Sequence, residues 1–516
     1  MRKFTSPRGT GASFQFIPGD SVEYHAGDRL VEEKCGIRFE PKFIYANNDE
    51  LKQKMNLAIA SNDLPDFFGA HPFDFYGQLV QSKLIKDVTD LWEKHAPKEW
   101  KDGFNFRNGL LWQPLRINGR VYGIPLTKFL AQDEKLTWVR TDWLEKIGAK
   151  EPPKTLDEVY KYAQEFVKAK VAGTDRPTIG LGINKDLNTW NLSTDPIFGA
   201  YGVMPGYWKK MADGKFVAYS TMPEAKEALA LLAAWYKEGL LNKEFFTLDT
   251  NKSQQLVANG QVGLYFGPSW NPRGIQVDAI KNETARGNTK VAFTYGLIPT
   301  GPKGRGTKFT LPVQGAQCAS AKVSDDDWVL ALKQGIWEWQ LTNPIFRWDN
   351  KWHGFEGYSY SWTPDGCKLV TGFTGGASVP KVLQAARLYD DLNETKYLEM
   401  LKEKYDKDPK QLDCYERSYV ETTYQASLAQ IVLNNQAKYA AVEVAEKYAI
   451  GNDYNGVPTA TMIKELGNLN ALEQAAYIDI IAGNKPISYF DEFVKEWKAK
   501  GGDKIAQEIA EAAARM

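Results

Sequence analysis

The sequence predicts an α/β protein organised as two large lobes, and three observations lead there. The 516 residues are too many for one core, because domains average roughly 150 residues and single cores stop growing well below this length. Hydrophobic residues make up 43% and charged residues 25%, the balance of a soluble globular chain. Strand-like and helix-like segments alternate in the first part of the chain and alternate again in the next, which is the grammar of sheets layered with helices.

Taken in order, "ASFQFIPGD" (12–20) alternates Phe14 and Phe16 with smaller residues before a Pro-Gly turn and predicts a first strand. In "NDELKQKMNLAIASNDLPDFFGA", Leu51, Met55, Ala58 and Ile59 fall at helical spacing, with Asn48 or Asp49 as the cap. Pro65 ends that helix, since the residue before a proline avoids the helical conformation, and "DFFGA" follows as a short buried strand. "GQLVQSKLIKDVTDLWEKHA" is again helical and Arg120 to Thr127 is a strand. This order predicts a parallel sheet.

A second unit repeats the pattern. Leu136 to Gly148 moves from strand into a helix closed by Gly148. Thr155 caps a helix that sets Val159, Ala163 and Val167 on one face. "PTIGLGIN" reads as a strand, "MPEAKEALALLAAWYKEGLL" as a helix ended by Gly239, and "NKSQQLVANGQVGLYFG" as helix, turn and strand. After about Val291 comes a strand, the loop "PTGPKGRG", another strand and a helix capped by Ser324 with Asp327. The stretch 343–366 is irregular and aromatic, and the chain from about Val379 is helical.

Composition excludes several function classes. Lys+Arg and Asp+Glu are both 64, for zero formal net charge, whereas nucleic-acid binding needs a basic surface. Four histidines show neither HExxH nor clustering, so no metal site is expected. Cys35, Cys318, Cys367 and Cys414 lack metal or redox spacing; two disulfides are open to them, and free buried thiols are the favoured reading. No run of about 18 apolar residues could span a membrane. The opening "MRKFTSPRGTGASF" has no apolar core and is no signal peptide. That leaves a cytosolic protein, or one whose export signal has been removed. The unusual total is aromatic, with 16 Trp, 25 Tyr and 25 Phe; it fits either a large core or a groove of stacking surfaces.

Several segments, in order along the chain, resemble the extracellular solute-binding proteins of ABC sugar importers. "ASNDLPDFF" is similar to a helix end of that family, "VYGIP" to its first crossover strand, and "WYKEGLLNKEFF" with "NGQVGLYFGPSW" to its second-lobe helix and the strand before a ligand tryptophan. "HGFEGYSYSWTPDG" and "CYERSY" resemble segments of its large subgroup, which includes alginate-oligosaccharide binders. The resemblance implies a two-lobed periplasmic-binding-protein fold of type II, with a ligand cleft between lobes and a helical C-terminal region. It implies lobes of 1–130 with 300–352, and 131–299 with 353–516. It also implies an oligosaccharide ligand, delivery to permease subunits, a monomer outside the cytoplasm, a lipid anchor on a longer precursor, no cofactor and no chemistry by this chain. Some alginate-type relatives carry an Asp/Asn-rich calcium loop after the helix that here ends "EFVKAK". This chain has "VAGTDRPTIG" there, with one acidic residue; calcium needs six to eight oxygens, so none is expected.

A sugar presents C–H faces that pack on aromatic planes and a rim of hydroxyls. Trp270, after the strand and turn "GLYFGPS", is the first candidate platform, with Asn271 and Arg273 to reach the rim. Trp190 with Asn188 sits in a polar loop, Trp138 in a strand, and Asp20, Asp66 and His71 near strand ends. Glu356, Tyr358, Tyr360 and Trp362 alternate, so an extended chain points them to one side. Tyr415, Glu416, Arg417 and Tyr419 are candidates through the resemblance. Arg273 and Arg417 suit a uronate carboxylate, while zero net charge favours a neutral sugar. Hinges are expected near Thr127–Gln132, Pro299–Lys308 and Trp352–Phe355, the glycines of "PTGPKGRG" absorbing rotation as ligand shifts an open–closed balance. The rivals are a glycoside hydrolase, for which no catalytic motif stands out, and a polysaccharide-binding surface module.

Overall fold

The computed structural model describes residues 1–10, 16–70, 75–127, 131, 133–342, 360–363, 366–369, 383 and 392–514. Besides two short hairpins (Arg116–Ile117 with Arg120–Val121, and Trp208–Lys210 with Phe216–Ala218), the strands, in chain order, are β1 (Arg2–Gly9), β2 (Ile37–Tyr45), β3 (Phe67–Ala70), β4 (Ile124–Thr127), β5 (Leu136–Arg140), β6 (Leu264–Gly267), β7 (Phe293–Gly296), β8 (Thr307–Lys308), β9 (Val313–Ala319), β10 (Tyr360–Thr363), β11 (Gly366–Leu369) and β12 (Ala449–Ile450). The chain divides into two compact units: 1–129 with 312–428, and 130–311 with 429–515. The first boundary lies beside the expected one. The second falls at 311/312 rather than 299/300, because β8 pairs with β12 and so keeps that stretch in the second unit. The third falls at 428/429, inside the long helix Cys414–Lys447, rather than at 352/353. The expected third hinge, 352–355, lies outside the described residues.

In the first unit, β1 and β2 pair in parallel through the helix Ala26–Cys35. Their inner face is aromatic: Phe4 meets Phe67 edge-on at 5.2 Å and lies 6.0 Å from Phe39. The sequence reading placed the first strand at 12–20. Of that stretch residues 11–15 are outside the described set, and 16–20 form loop and turn. The strand is instead "RKFTSPRG", whose single deeply buried apolar residue, Phe4, is too sparse a signal for a period-2 pattern. The helix Asn48–Ala60 is capped one residue earlier than expected, by Asn47, whose side chain accepts from Glu50 N at 2.9 Å.

Both three-stranded sheets are antiparallel rather than parallel, which corrects the expected arrangement. β9 lies between β3 and β4 and is antiparallel to both. β5 lies between β6 and β7, again antiparallel to both. The cause is connectivity. β5 and β9 are the first strands after the chain enters their units at 129/130 and 311/312, so neither is delivered by a strand–helix–strand crossover of the kind that makes neighbours parallel.

Other local signals are met. Thr155 accepts from Glu158 N at 3.1 Å, and Ser324 Oγ accepts from Asp327 N at 3.1 Å while donating to Asp327 Oδ2 at 2.8 Å. The helices Leu156–Lys168, Pro223–Lys237, Ala460–Ile481 and Tyr489–Trp497 surround one continuous core in the second unit. Most described tryptophans are core residues, including Trp92, Trp100, Trp143, Trp208, Trp235, Trp328 and Trp497, so much of the aromatic excess is packing. Cys318 is a buried free thiol and Cys35 a half-buried one; the side chains of Cys367 and Cys414 lie outside the described residues.

The second unit also buries charge. Lys135 Nζ lies 3.3 Å from Asp195 Oδ2, both fully enclosed. Beside them, burial holds the Glu134 carboxyl up at about 7, and burial also pushes Lys308 down, against the pull of Asp195. A carboxyl with a raised folded-state value is most favourable while protonated in both states. Its contribution falls as pH rises from the unfolded value, 4.5, through about 7. We therefore expect Glu134→Gln, a neutral mimic, to gain about 3 kcal/mol on the wild type between about pH 4 and about pH 8. Urea midpoints at the two pH values check this; parallel pH dependence of the two proteins would refute it.

Candidate functional site

In the second unit a segment near 179–182 extends the sheet. Ile179 bridges Val262 and Gly182 bridges Tyr265, both in parallel. This segment, β6 and β7 therefore end at one edge, the edge at which ligands collect in open α/β sheets. Two loops leave that edge. One follows residue 182 and carries Trp190; the other follows Gly267 and carries Trp270. Both indoles are half-buried, with centroids 5.0 Å apart and planes inclined by 31°.

The loops are fixed from beneath. Asn191 and Asn271 are completely buried and exchange two hydrogen bonds, each Nδ2 donating to the other's Oδ1 at 3.1 Å. Asn184 Nδ2 donates to the carbonyls of Asn191 (2.9 Å) and Leu192 (3.2 Å). Gly267 leaves space for the amide pair, since a Cβ there would lie 2.5 Å from Asn271 Nδ2 and closer still to Asn191 Oδ1. Trp138 forms the floor, its Nε1 donating to the carbonyls of Gly267 (3.2 Å) and Pro268 (3.1 Å). Leu187 and Leu192, either side of Trp190, have φ of 46° and 49°. Such conformations cost about 1–3 kcal/mol for bulky residues and collect at ligand sites.

Polar residues neighbour the two tryptophans along their loops. Asn188 Oδ1 accepts from Thr194 Oγ1 at 3.3 Å, the Thr189 and Thr250 hydroxyls lie 3.0 Å apart, and Arg273 is exposed at the end of the Trp270 turn. At 5.0 Å the two indoles are in contact with each other, so no ligand ring fits between them. They present one composite apolar surface with a polar border. Such a surface can pack against the C–H face of a hydroxylated ring. Among the described residues no group of three or more His, Cys, Asp or Glu could hold a metal ion.

The structure thus joins Trp190, Trp270, Asn188 and Arg273. It assigns other candidates to support. Asn271 and Trp138 are buried beneath the platform. Asp66 Oδ2 accepts from Thr5 N (2.7 Å) and Thr5 Oγ1 (2.8 Å), tying β1 to β3. Asp20 accepts from Ala26 N (2.9 Å) and pairs with Arg29 (2.7 Å), with its own side chain almost fully enclosed. Glu416 forms a reciprocal cap with Asp413 at the start of its helix (3.0 and 2.8 Å), and Arg417 follows half-buried. Tyr360 and Trp362 lie on β10, paired with Leu369 and Cys367 of β11. Their side chains, those of Tyr415 and Tyr419, and all of His71, Glu356 and Tyr358 lie outside the described residues.

Sequence reasoning missed the amide pair, although a signal was there. Of the 16 tryptophans, Trp190 and Trp270 alone are followed by asparagine, and those two asparagines are the ones that meet.

Comparison with known proteins places this edge in context. Residues 30–333 match the family described as bacterial extracellular solute-binding protein. A relative from Bacillus subtilis (strain 168), the polygalacturonan/rhamnogalacturonan-binding protein YtcQ, is 27% identical over 251 residues, 46% of this chain and 45% of that protein. The chain spans about half the length of the curated relatives it matches. An HMO-binding, ABC-transporter-associated solute-binding protein of Bifidobacterium longum infantis superimposes with a TM-score of 0.65 at 13% identity, covering 99% of this chain and 98% of that one. The alginate-binding protein AlgQ2, solved without calcium ion, gives 0.59 at 16% identity, with 99% and 97% covered. At these identities the likeness establishes the two-lobed solute-binding fold.

Proposed function

The chain belongs to the bacterial extracellular solute-binding proteins, and from that premise we propose that it captures an oligosaccharide outside the cytoplasm and hands it to an ABC import permease. The observation that carries this reading is the Trp190–Trp270 surface, fixed beyond the strand ends and bordered by amide, hydroxyl and guanidinium groups. Aromatic planes suit sugar faces, and a border of both donors and acceptors suits their hydroxyls. A relative named for binding polygalacturonan and rhamnogalacturonan, and structural neighbours named for binding alginate and HMO, support the ligand class. The protein acts without turning its ligand over, as a monomer attached in its mature form by a lipid anchor.

A melting-shift screen of neutral and uronic oligosaccharides tests this. At least one should raise Tm by mass action, by about 2.7 kcal/mol of stabilisation at a hundredfold excess over Kd, with no new reducing ends. No shift with any sugar, or accumulating products, would overturn the reading; the latter would indicate a glycoside hydrolase.

A further inference from the structure

Each ring of the platform is followed by an asparagine, and the two asparagines link the side chains of the two loops beside the contact of the rings themselves. We propose that the Asn191–Asn271 pair is the positioning device of the platform, a clasp that sets the distance and tilt of Trp190 and Trp270 and so determines whether they act as one surface. The clasp rests on the reading that this surface binds sugar, but its geometry can be tested without any sugar.

The pair is suited to the task for three reasons. Two hydrogen bonds between planar amides fix separation and mutual orientation together, which a single bond does not. The partners are fully buried, so water cannot substitute when a partner is lost, and an unpaired buried amide is costly. Each asparagine is also held independently. Asn191 is gripped through its carbonyl by Asn184. Asn271 meets the Tyr265 hydroxyl, which in turn accepts from Gln276 Nε2 at 2.9 Å. Gly267, at the end of β6, leaves the amides room to meet above it. A cap or turn residue would need none of this reciprocity.

Two indoles in contact at a fixed tilt couple optically and give an exciton couplet in far-ultraviolet circular dichroism. Trp92 lies 5.1 Å from Trp112 and 6.4 Å from Trp100, and Trp208 lies 5.8 Å from Trp497, so the part of the couplet that Trp190→Phe removes is the part that reads the clasp in the ligand-free protein. Asn191→Leu should abolish most of it and weaken binding of a galacturonan trisaccharide or a neutral glucan trisaccharide, whichever the wild type binds, on the order of tenfold. Asn191→Asp provides the sharper variant. As a carboxylate it offers two acceptors, so whichever way Asn271 turns, one oxygen faces another. As a carboxylic acid it is shaped like the amide, donating to Asn271 Oδ1 and accepting from Nδ2. The ionisable groups on the same loop and the elements beside it include Lys185 and Asp186 in the Trp190 loop, Tyr265 on β6, Arg273 in the Trp270 turn, and Lys135 ahead of β5 with its partner Asp195. The wild type carries them all and serves as the control at each pH.

The couplet of Asn191→Asp should be weak at neutral pH and return on acidification, with a midpoint above the ordinary aspartate value of about 3.9 because burial favours the neutral acid. The wild-type couplet should stay constant. If Asn191→Leu fails to fold, the acid recovery of Asn191→Asp decides alone. A couplet retained by Asn191→Asp at neutral pH, or flat with pH, overturns the clasp. Recovery of the couplet in a protein whose wild type binds neither trisaccharide would support the clasp and count against the sugar reading.

Discussion

Replacing Trp270 by alanine is expected to weaken oligosaccharide binding roughly thirtyfold or more, the loss that a central aromatic anchor of about 2 kcal/mol carries. Trp190→Ala should lose a comparable amount, and the double variant little beyond either. The reason is the 5.0 Å contact and the 31° inclination. The rings cover one face of each other, so each is both surface and support, and removing one leaves the other free to turn. Residues in contact couple in this way, whereas independent sites add. Calorimetric titration of the four proteins separates the cases. Losses that sum in the double variant would mean two separate sugar subsites and would contradict a composite platform. Unchanged affinity in both single variants would place the ligand elsewhere.

Gly199→Ala is expected to have the largest effect on stability, about 3 kcal/mol or more, at the upper end of overpacking costs. Gly199 lies in the helix Asp195–Ala200, and an added Cβ would overlap the backbone carbonyl of Gly306. Viewed from the other side, a Cβ on Gly306 would lie 2.5 Å from Gly199 O. Neither partner is a flexible side chain that could swing away. Gly304 provides the contrast. Its φ of 99° favours glycine, but nothing lies within 4 Å of a Cβ there, so Gly304→Ala should cost about 1 kcal/mol. Urea midpoints for the two variants test the difference, and a Gly199→Ala cost no larger than that of Gly304→Ala would contradict it. The comparison also revises the expected role of "PTGPKGRG". Gly301 and Gly306 are small because the helix 195–200 lies against them: a Cβ added to Gly301 would lie 2.7 Å from the Cβ of Ala200, and one added to Gly306 would meet Gly199. Close packing, rather than backbone rotation, explains these two glycines.

What was legible in the sequence was local. Helix caps at Thr155 and Ser324, the glycine ends at Gly148 and Gly239, and the buried strand 67–70 follow from a few neighbouring residues, and the structure has them. Strand direction was not legible, because β5 and β9 take theirs from where the chain enters each unit, which no local pattern encodes. The platform was half legible. A tryptophan in a polar loop and another after a strand and turn stand out singly, but their contact depends on a parallel bridge between Gly182 and Tyr265. Asp20 and Asp66 illustrate the opposite case. An aspartate near a strand end suggests a ligand, yet here one caps and pairs within the 20–29 turn and the other ties two strands. An acceptor-only side chain serves either role, and only its partners tell them apart.

The most direct test of the account is an NMR titration of the 16 indole Nε1–H signals with the oligosaccharide that stabilises the protein most. The Trp190 and Trp270 signals should move together, saturating at the midpoint of the calorimetric binding curve. Saturable binding that leaves both signals in place would contradict a platform made of these two rings.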